Sequence, residues 1–192
     1  MSKVVIAGDA SGTGTFTISA PNGNTDRTLV LPDEAGTVLT TAGVPASAMP
    51  AGSVIQVVTG SSSGAIITTT SSSFVSSGVS FTFTPKLANS KILVSFYFTG
   101  TSTSGGAVGG SKYTIYRDST NLYGGMPNNG HLIYSALSNE YIHAPSYITA
   151  VDNLSTTSTV NYTLYFSLVG VGTASIQRDW GSVHYFAQEI VQ

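Results

Sequence analysis

The chain of 192 residues is long enough for one domain with its own core, and charged types make up only 8% of it, against about 25% in an average soluble domain. Because 28 Ser and 25 Thr must cover the surface instead, and because the seven Lys and Arg leave a net charge of -2, nucleic acid and anionic membranes are poor candidate partners. The lack of cysteine excludes a disulfide framework, and no apolar run is long enough for a secretory signal or a membrane span, so we expect a protein made in the cytosol.

Residues 1–41 hold too few apolar side chains for an independent core, and we expect them to form a short extended β arm. A segment of this kind becomes ordered only by pairing with other chains. Residues 42–52 contain two prolines and mostly small side chains, the composition of an extended linker. We therefore place the boundary there and predict a separate head domain over residues 53–192.

The head domain is predicted to be all-β, because short runs of β-branched and aromatic residues are separated by Gly, Ser and Asn. Alternation of apolar and polar residues is clearest at residues 79–84 and 160–169. About eight such runs fit an antiparallel β-sandwich or jelly roll. The other predicted strands cover residues 54–59, 65–70, 92–98, 113–117, 147–151 and 183–190.

Residues 92–98 differ from the other runs because they are apolar on nearly both faces of the predicted strand. Such a pattern is typical of a central strand with its own core on one side and a loop or partner chain on the other. A lone subunit would expose much of this strand. We therefore expect a homo-oligomer.

Two parts of the sequence resemble proteins of tailed phages. The motifs AGDASG at 7–12, FTISAP at 16–21, TLVLP at 28–32 and AGTVLT at 35–40 resemble a short module common in tail fibres and other virion proteins. The motifs GSVIQVV at 52–58, FTFTP at 81–85, SKILV at 90–94 and FAQEI at 186–190 resemble a C-terminal head domain of phage fibres, marine and cyanobacterial phages especially.

This resemblance implies a homotrimer, a jelly-roll-like head and a place in the virion, assembled in the host cytoplasm. It also implies that residues 1–41 attach the chain to other virion proteins of the tail, baseplate or capsid. The residues expected to make that attachment are the apolar ones of the arm: Val4, Val5, Ile6, Phe16, Ile18, Leu29 and Leu31.

No catalytic site is expected. The motif GSSSG at 60–64 matches the nucleophile elbow of hydrolases, but a strand-like run follows it where the elbow requires a helix. Phage spikes that cleave polysaccharide use paired carboxylates. Only nine acidic residues are present here, and turn formation or ion pairing explains four of them: Asp33, Asp118, Asp152 and Asp179. The three histidines lie far apart in sequence, so a metal site within one chain is not expected, and neither is another cofactor. The less favoured alternative is one His that meets its two copies on the axis of a trimer.

Tyr, Asn and His are concentrated between Tyr113 and Tyr147, and we expect exposed loops from about Leu122 onward. Aromatic faces beside amide groups suit sugar rings, which need stacking and hydrogen bonds together. The candidate residues for binding a host surface glycan are Tyr123, Asn128, Asn129, His131, Tyr134, Asn139 and Tyr141. The alternative is that these tyrosines pack the core or a subunit interface.

The preferred hypothesis is a short trimeric tail fibre whose head adheres to a host glycan without cleaving it. Fibres usually carry a long shaft, whereas only residues 42–52 separate the two parts here. A capsid decoration protein therefore stays as the second hypothesis, since such proteins also join an extended arm to a trimeric sandwich. A polysaccharide depolymerase is the third.

Overall fold

The computed structural model describes residues 11–15, 17, 22–26, 28, 43–103, 109–124, 131–135, 141–178 and 181–192. The chain divides into two compact units, Met1–Val38 and Leu39–Gln192. The described residues of the first unit belong to no helix or strand, and the rest of the expected β arm lies outside the described residues. The same holds for every predicted attachment residue: Val4, Val5, Ile6, Phe16, Ile18, Leu29 and Leu31.

The second unit is all-β, as predicted. Its described part contains one short 3-10 turn, Ala46–Ala48, and no helix long and apolar enough to cross a membrane. The strands are β1 Val54–Ser62, β2 Ile67–Thr69, β3 Val75–Phe83, β4 Lys91–Thr103, β5 Gly109–Arg117, β6 Thr120–Asn121, β7 His131–Ser135, β8 Tyr141–Asn153, β9 Val160–Gly170, β10 Thr173–Gln177 and β11 Val183–Ile190.

Each of the predicted strands of the head is confirmed, although several are longer than expected. Three strands were missed: β6, β7 and β10. Strands β6 and β10 are short and built mainly from small or polar residues, so that neither shows an apolar run. Strand β7 lies in the segment that the sequence indicates as loop.

The strands form two antiparallel sheets. In the described residues sheet I has the order β1, β11, β4, β10, β2, with β8 on the other edge of β4, and sheet II has the order β3, β9, β5, β6, with β7 also on β5. Strands β11 and β10 pair with successive parts of β4, namely residues 91–97 and 99–103. They therefore act as one interrupted strand, and the same applies to β1 with β2 and to β7 with β6.

Once the interrupted strands are joined, each sheet has four strand positions. Numbered along the chain, sheet I has the order 1-8-3-6 and sheet II has the order 2-7-4-5. This is the strand order of a jelly roll, in which two Greek keys interleave and the first and last strands become neighbours. The pairing of β1 with β11 therefore joins the two ends of the head domain.

A single apolar core fills the space between the sheets. Every second residue of β9 enters it, as the alternation predicted: Val160, Tyr162, Leu164, Phe166 and Leu168 are all buried. The core is rich in aromatic rings, such as Phe81 and Tyr185, which stack with their centroids 4.6 Å apart. Burial of each large apolar side chain contributes about 1.5–3 kcal/mol.

Residues 43–52 are less extended than the linker that the composition predicts. Pro45, with a φ of -57°, starts the 3-10 turn, and its carbonyl accepts a hydrogen bond from the Ala48 N–H at 2.9 Å. At the end of this segment the Gly52 N–H donates to the Val191 carbonyl at 2.8 Å. The last linker residues are thus tied to the C-terminal end of the head.

Two buried carboxylates hold parts of the sandwich together. Asp152 in β8 accepts hydrogen bonds from the Arg117 guanidinium at 2.6 Å and from the Tyr162 hydroxyl at 2.8 Å. Glu189 in β11 is fully buried and accepts the backbone N–H groups of Lys86 and Leu87, each at 2.9 Å. Neither carboxylate faces open solvent, so hydrogen bonds within the chain replace those that each would make with water.

We predict that Glu189→Gln destabilises the head by about 1–3 kcal/mol, because an amide presents N–H groups where the loop at Lys86 requires an acceptor. The free energy of unfolding in urea measures this loss. Gln188→Ala, one residue away on the opposite face of the strand, is the control and should cost about 0.5 kcal/mol or less. An equal loss in both variants would contradict a specific role for the Glu189 carboxylate.

Candidate functional site

The structure separates the predicted glycan-binding residues. Asn128, Asn129 and Asn139 lie outside the described residues. His131 and Tyr134 are on β7 of sheet II, and Tyr141 begins β8 of sheet I. The expected loop is therefore partly strand, because Leu132 and Ile133 between the polar residues supply enough apolar character for pairing with β5.

The faces of these strands divide the candidates further. Ile133 is buried in the core, so its neighbour Tyr134 points to the outer face of sheet II. Ile148 and Ala150 of β8 are also buried, so Tyr141 points to the outer face of sheet I. Tyr134 and Tyr141 are both exposed, but they lie on opposite sides of the sandwich.

Tyr123 lies beside the edge of sheet I. Burial raises the pKa of its phenol, a hydrogen bond with the Thr149 backbone lowers it, and the nearby Tyr147 phenol raises it. These interactions place Tyr123 next to β8, and the side chain packs against the core. Tyr123 is therefore a partly buried side chain that packs against the core.

His131 faces the core. Its ring centroid lies 6.1 Å from that of Tyr113, and its Nε2 atom is buried without a hydrogen-bond partner among the described residues. Desolvation lowers the pKa of His131 from its ordinary value of 6.5. Burial therefore favours the neutral form of His131, and the side chain is directed toward the core with part of it exposed.

The outer face of sheet I carries a row of residues from four strands, and three of these residues are apolar. Val57 of β1 lies opposite Gln188 of β11, Gln188 opposite Leu93 of β4, and Leu93 opposite Val151 of β8. We call Val57, Leu93 and Val151 the apolar row. Val57 is 52% exposed and Val151 is 58% exposed, so the row opens to solvent on a lone subunit.

A second row on the same face is aromatic. His184 of β11 lies opposite Tyr97 of β4, and Tyr97 lies opposite Tyr147 of β8. All three side chains are exposed. We call them the aromatic row. Opposite side chains in an antiparallel sheet stand about 4.5–5.5 Å apart at Cβ, so the three residues are direct neighbours on this face.

A chain of hydroxyl groups fixes the position of the Tyr147 ring. The Thr149 hydroxyl donates to the Val94 carbonyl at 3.1 Å, and the Ser95 hydroxyl donates to Thr149 Oγ1 at 2.9 Å. Ser95 Oγ also lies 2.9 Å from the Tyr147 hydroxyl oxygen. Since the single proton of Ser95 is already used, Tyr147 must be the donor in that contact.

The sequence indicated only part of this site. It predicted the two-sided strand that contains Leu93 and Tyr97, but it did not single out Tyr97, Tyr147 or His184 as binding residues. Alternation in residues 92–98 and 183–190 is the signal that could have placed Tyr97 and His184 on outer faces. His184, Tyr97 and Tyr147 lie in one row because of the register of β11, β4 and β8. A local sequence pattern does not reveal that register.

Residues 60–64 do not have the geometry of a nucleophile elbow. Residues 60–62 end β1, and strand β2 follows where the elbow requires a helix. Within the part of the chain that the structure describes, no group of three or more His, Asp or Glu side chains could hold a metal ion.

Comparisons with known proteins found no match, either among protein-family models or among curated proteins. The phage resemblance therefore depends on the sequence motifs themselves.

We predict that the stability of the head falls as the pH drops below about 6.5, in part because of His131. Above that pH the histidine is neutral in both the folded and the unfolded chain, so the full stability is present. At lower pH the unfolded chain binds a proton more readily, and the loss levels off once the pH passes the lowered pKa of the folded state.

Urea unfolding of the unchanged chain and of His131→Phe, measured from about pH 8 to about pH 4.5, checks this prediction. The free energy of unfolding of His131→Phe should fall less at low pH than that of the unchanged chain. Leu132→Ala, whose side chain lies on the other face of β7, should lower the stability equally at every pH. A decline of the same size in His131→Phe and in the unchanged chain would contradict the assignment.

Proposed function

We propose that this chain is a structural, non-catalytic protein of a phage particle, whose head domain associates with copies of itself and adheres to a host surface glycan. A short trimeric tail fibre is the form that the sequence motifs favour. The single observation that carries the proposal is the outer face of sheet I, where the apolar side chains of Val57 and Val151 and the aromatic side chains of Tyr97 and Tyr147 are exposed.

The apolar row supports self-association. Exposed apolar side chains that lie together usually mark an interaction surface, whereas scattered ones do not. The described residues of this face carry little charge, with Lys91 at one end of β4, so two copies would meet without strong repulsion. Residues 92–98 were predicted to be apolar on both faces of a strand. The second of these faces, with Leu93 and Tyr97, is the outer face of sheet I.

The buried carboxylates support a non-catalytic role. Asp152 is bonded to Arg117 and Tyr162, and Glu189 is bonded to backbone N–H groups. A glycosidase needs one carboxyl group as an acid and another as a base or nucleophile, both facing the substrate. Asp152 and Glu189 are buried and bonded to partners within the chain, so neither faces a substrate as an acid or a base. They therefore do not support the depolymerase hypothesis.

We predict that the purified chain forms an oligomer of about three times 19.8 kDa at micromolar concentration, and that Val57→Lys with Val151→Lys converts it to a monomer. Two lysines on the apolar row would have to be desolvated in the interface, which costs more than the lost contacts alone. Size-exclusion chromatography with light scattering measures the mass.

The matched control is Val171→Lys, since Val171 is 49% exposed in the turn between β9 and β10 and lies outside the row. It should leave the mass of the oligomer unchanged. A monomeric unchanged chain would refute self-association, and a double variant that keeps its oligomeric mass would refute the apolar row as the interface.

Electron cryomicroscopy of particles that contain the chain would distinguish the two virion roles. We expect density for the head at the tail tip. Density over the junctions between capsomers would instead support the capsid decoration hypothesis, and its absence from purified particles would refute both.

A further inference from the structure

We infer that the aromatic row, His184, Tyr97 and Tyr147, is a binding platform for a neutral oligosaccharide that lies across strands β11, β4 and β8. The inference rests on the proposed adhesive function and gives it a definite site. This site is on the outer face of sheet I. Only Tyr147 belongs both to it and to the segment between Leu122 and Tyr147 that the sequence indicated.

The orientation of the Tyr147 ring is the first argument. Tyr147 lies opposite Tyr97, yet its hydroxyl reaches Ser95, which is two residues before Tyr97 on β4. The ring must therefore lie across the sheet surface from β8 toward β4. Ser95 is almost completely buried beneath these side chains, while Tyr147 itself stays 53% exposed. One face of the ring is thus held in place and open, as stacking against a sugar ring requires.

The direction of the hydroxyl protons is the second argument. Tyr147 donates its proton to Ser95, so the free lone pairs of its oxygen can accept a hydrogen bond from a sugar hydroxyl. The Tyr97 hydroxyl has no hydrogen-bond partner among the described residues and can donate or accept. The platform therefore combines aromatic faces for stacking with hydroxyl groups for hydrogen bonds. A pyranose ring can make both kinds of contact, through its apolar face and its hydroxyl groups.

The charge around the row favours a neutral ligand. On the same face of β4, Lys91 is six residues from Tyr97, about 20 Å along the strand. Arg178 lies closer to the His184 end, but its guanidinium donates to Ser62 Oγ and to the Ala65 carbonyl, each at 3.2 Å. Neither cation is placed to pair with a carboxylate on a sugar that lies over Tyr97 and Tyr147.

The platform and the apolar row can be used at the same time. Leu93 and Tyr97 are four residues apart on β4, which corresponds to about 13 Å. The row between them contains Thr59, Phe186, Ser95 and Thr149. If a second copy covers the apolar end of the face, the aromatic end stays open, and several platforms in one oligomer would bind a surface glycan with increased avidity.

The test uses the full chain and four tetrasaccharide probes: maltotetraose, cellotetraose, tetra-N-acetylchitotetraose and, as an acidic comparison, tetragalacturonate. We expect saturation-transfer NMR and titration to show weak binding of at least one neutral probe and weaker binding of the acidic one. Tyr147→Ala and Tyr97→Ala should each lower the affinity about tenfold or more, which corresponds to about 1.4 kcal/mol. Tyr147→Phe, which keeps the ring, should lose less.

The matched control is Tyr134→Ala, because Tyr134 has the same 53% exposure but lies on the outer face of sheet II. It should leave the affinity unchanged. The inference is overturned if no neutral probe binds, if Tyr134→Ala weakens binding as much as Tyr147→Ala does, or if the Tyr97 and Tyr147 variants bind like the unchanged chain.

Light scattering on the same samples separates this inference from the proposed function. An oligomer that binds no neutral probe would overturn the platform and leave self-association intact. A monomer that binds a probe would overturn self-association and support the platform. If Tyr97→Ala and Tyr147→Ala dissociate the oligomer, the aromatic row belongs to the subunit interface and the platform is refuted.

Discussion

The burial of one face of strand β4 is the constraint on which the rest of the head depends. Ile92, Val94, Phe96 and Phe98 are buried in the core, while β8 pairs with one edge of the strand and β11 and β10 pair with the other. Because side chains alternate along a strand, this burial fixes Leu93 and Tyr97 on the outside. A shift of one residue in register would exchange the two sets, so the core and the candidate surface are determined by the same pairing.

Neutral tyrosine hydroxyls make several of the hydrogen bonds inside the sandwich. The Tyr113 hydroxyl donates to the Ser175 carbonyl at 2.8 Å across the core, and burial is the main reason that its pKa is raised. Burial together with the neighbouring Asp152 raises the pKa of Tyr162, which keeps the phenol protonated as a hydrogen-bond donor. Some of the few charged side chains, such as Asp152 and Glu189, thus make internal contacts. The outer faces carry mainly hydroxyl and aromatic groups.

The outer face of sheet I shows how such a surface can serve both assembly and adhesion. Its two rows differ in chemistry because Val57, Leu93 and Val151 offer only apolar contact, whereas Tyr97 and Tyr147 add hydroxyl groups to their rings. Apolar contact suits a second copy of the chain, and rings with hydroxyl groups suit a ligand that is itself covered in hydroxyl groups. Both rows depend on the rigidity of the antiparallel sheet beneath them.

The sequence by itself determined the all-β class and the predicted strands of the head, because alternation at residues 79–84 and 160–169 and the apolar run at 92–98 are local patterns that burial enforces. It did not reveal β7 or β10, whose pairing with β5 and β4 outweighs weak local preferences. For the site, composition drew attention to tyrosine and to the segment that ends at Tyr147. Only the tertiary structure decided that Tyr134 and Tyr141 lie on opposite sides and that His184, Tyr97 and Tyr147 share one row. The reason is that register between strands far apart in sequence is set by the packing of the whole core, and no local pattern records it.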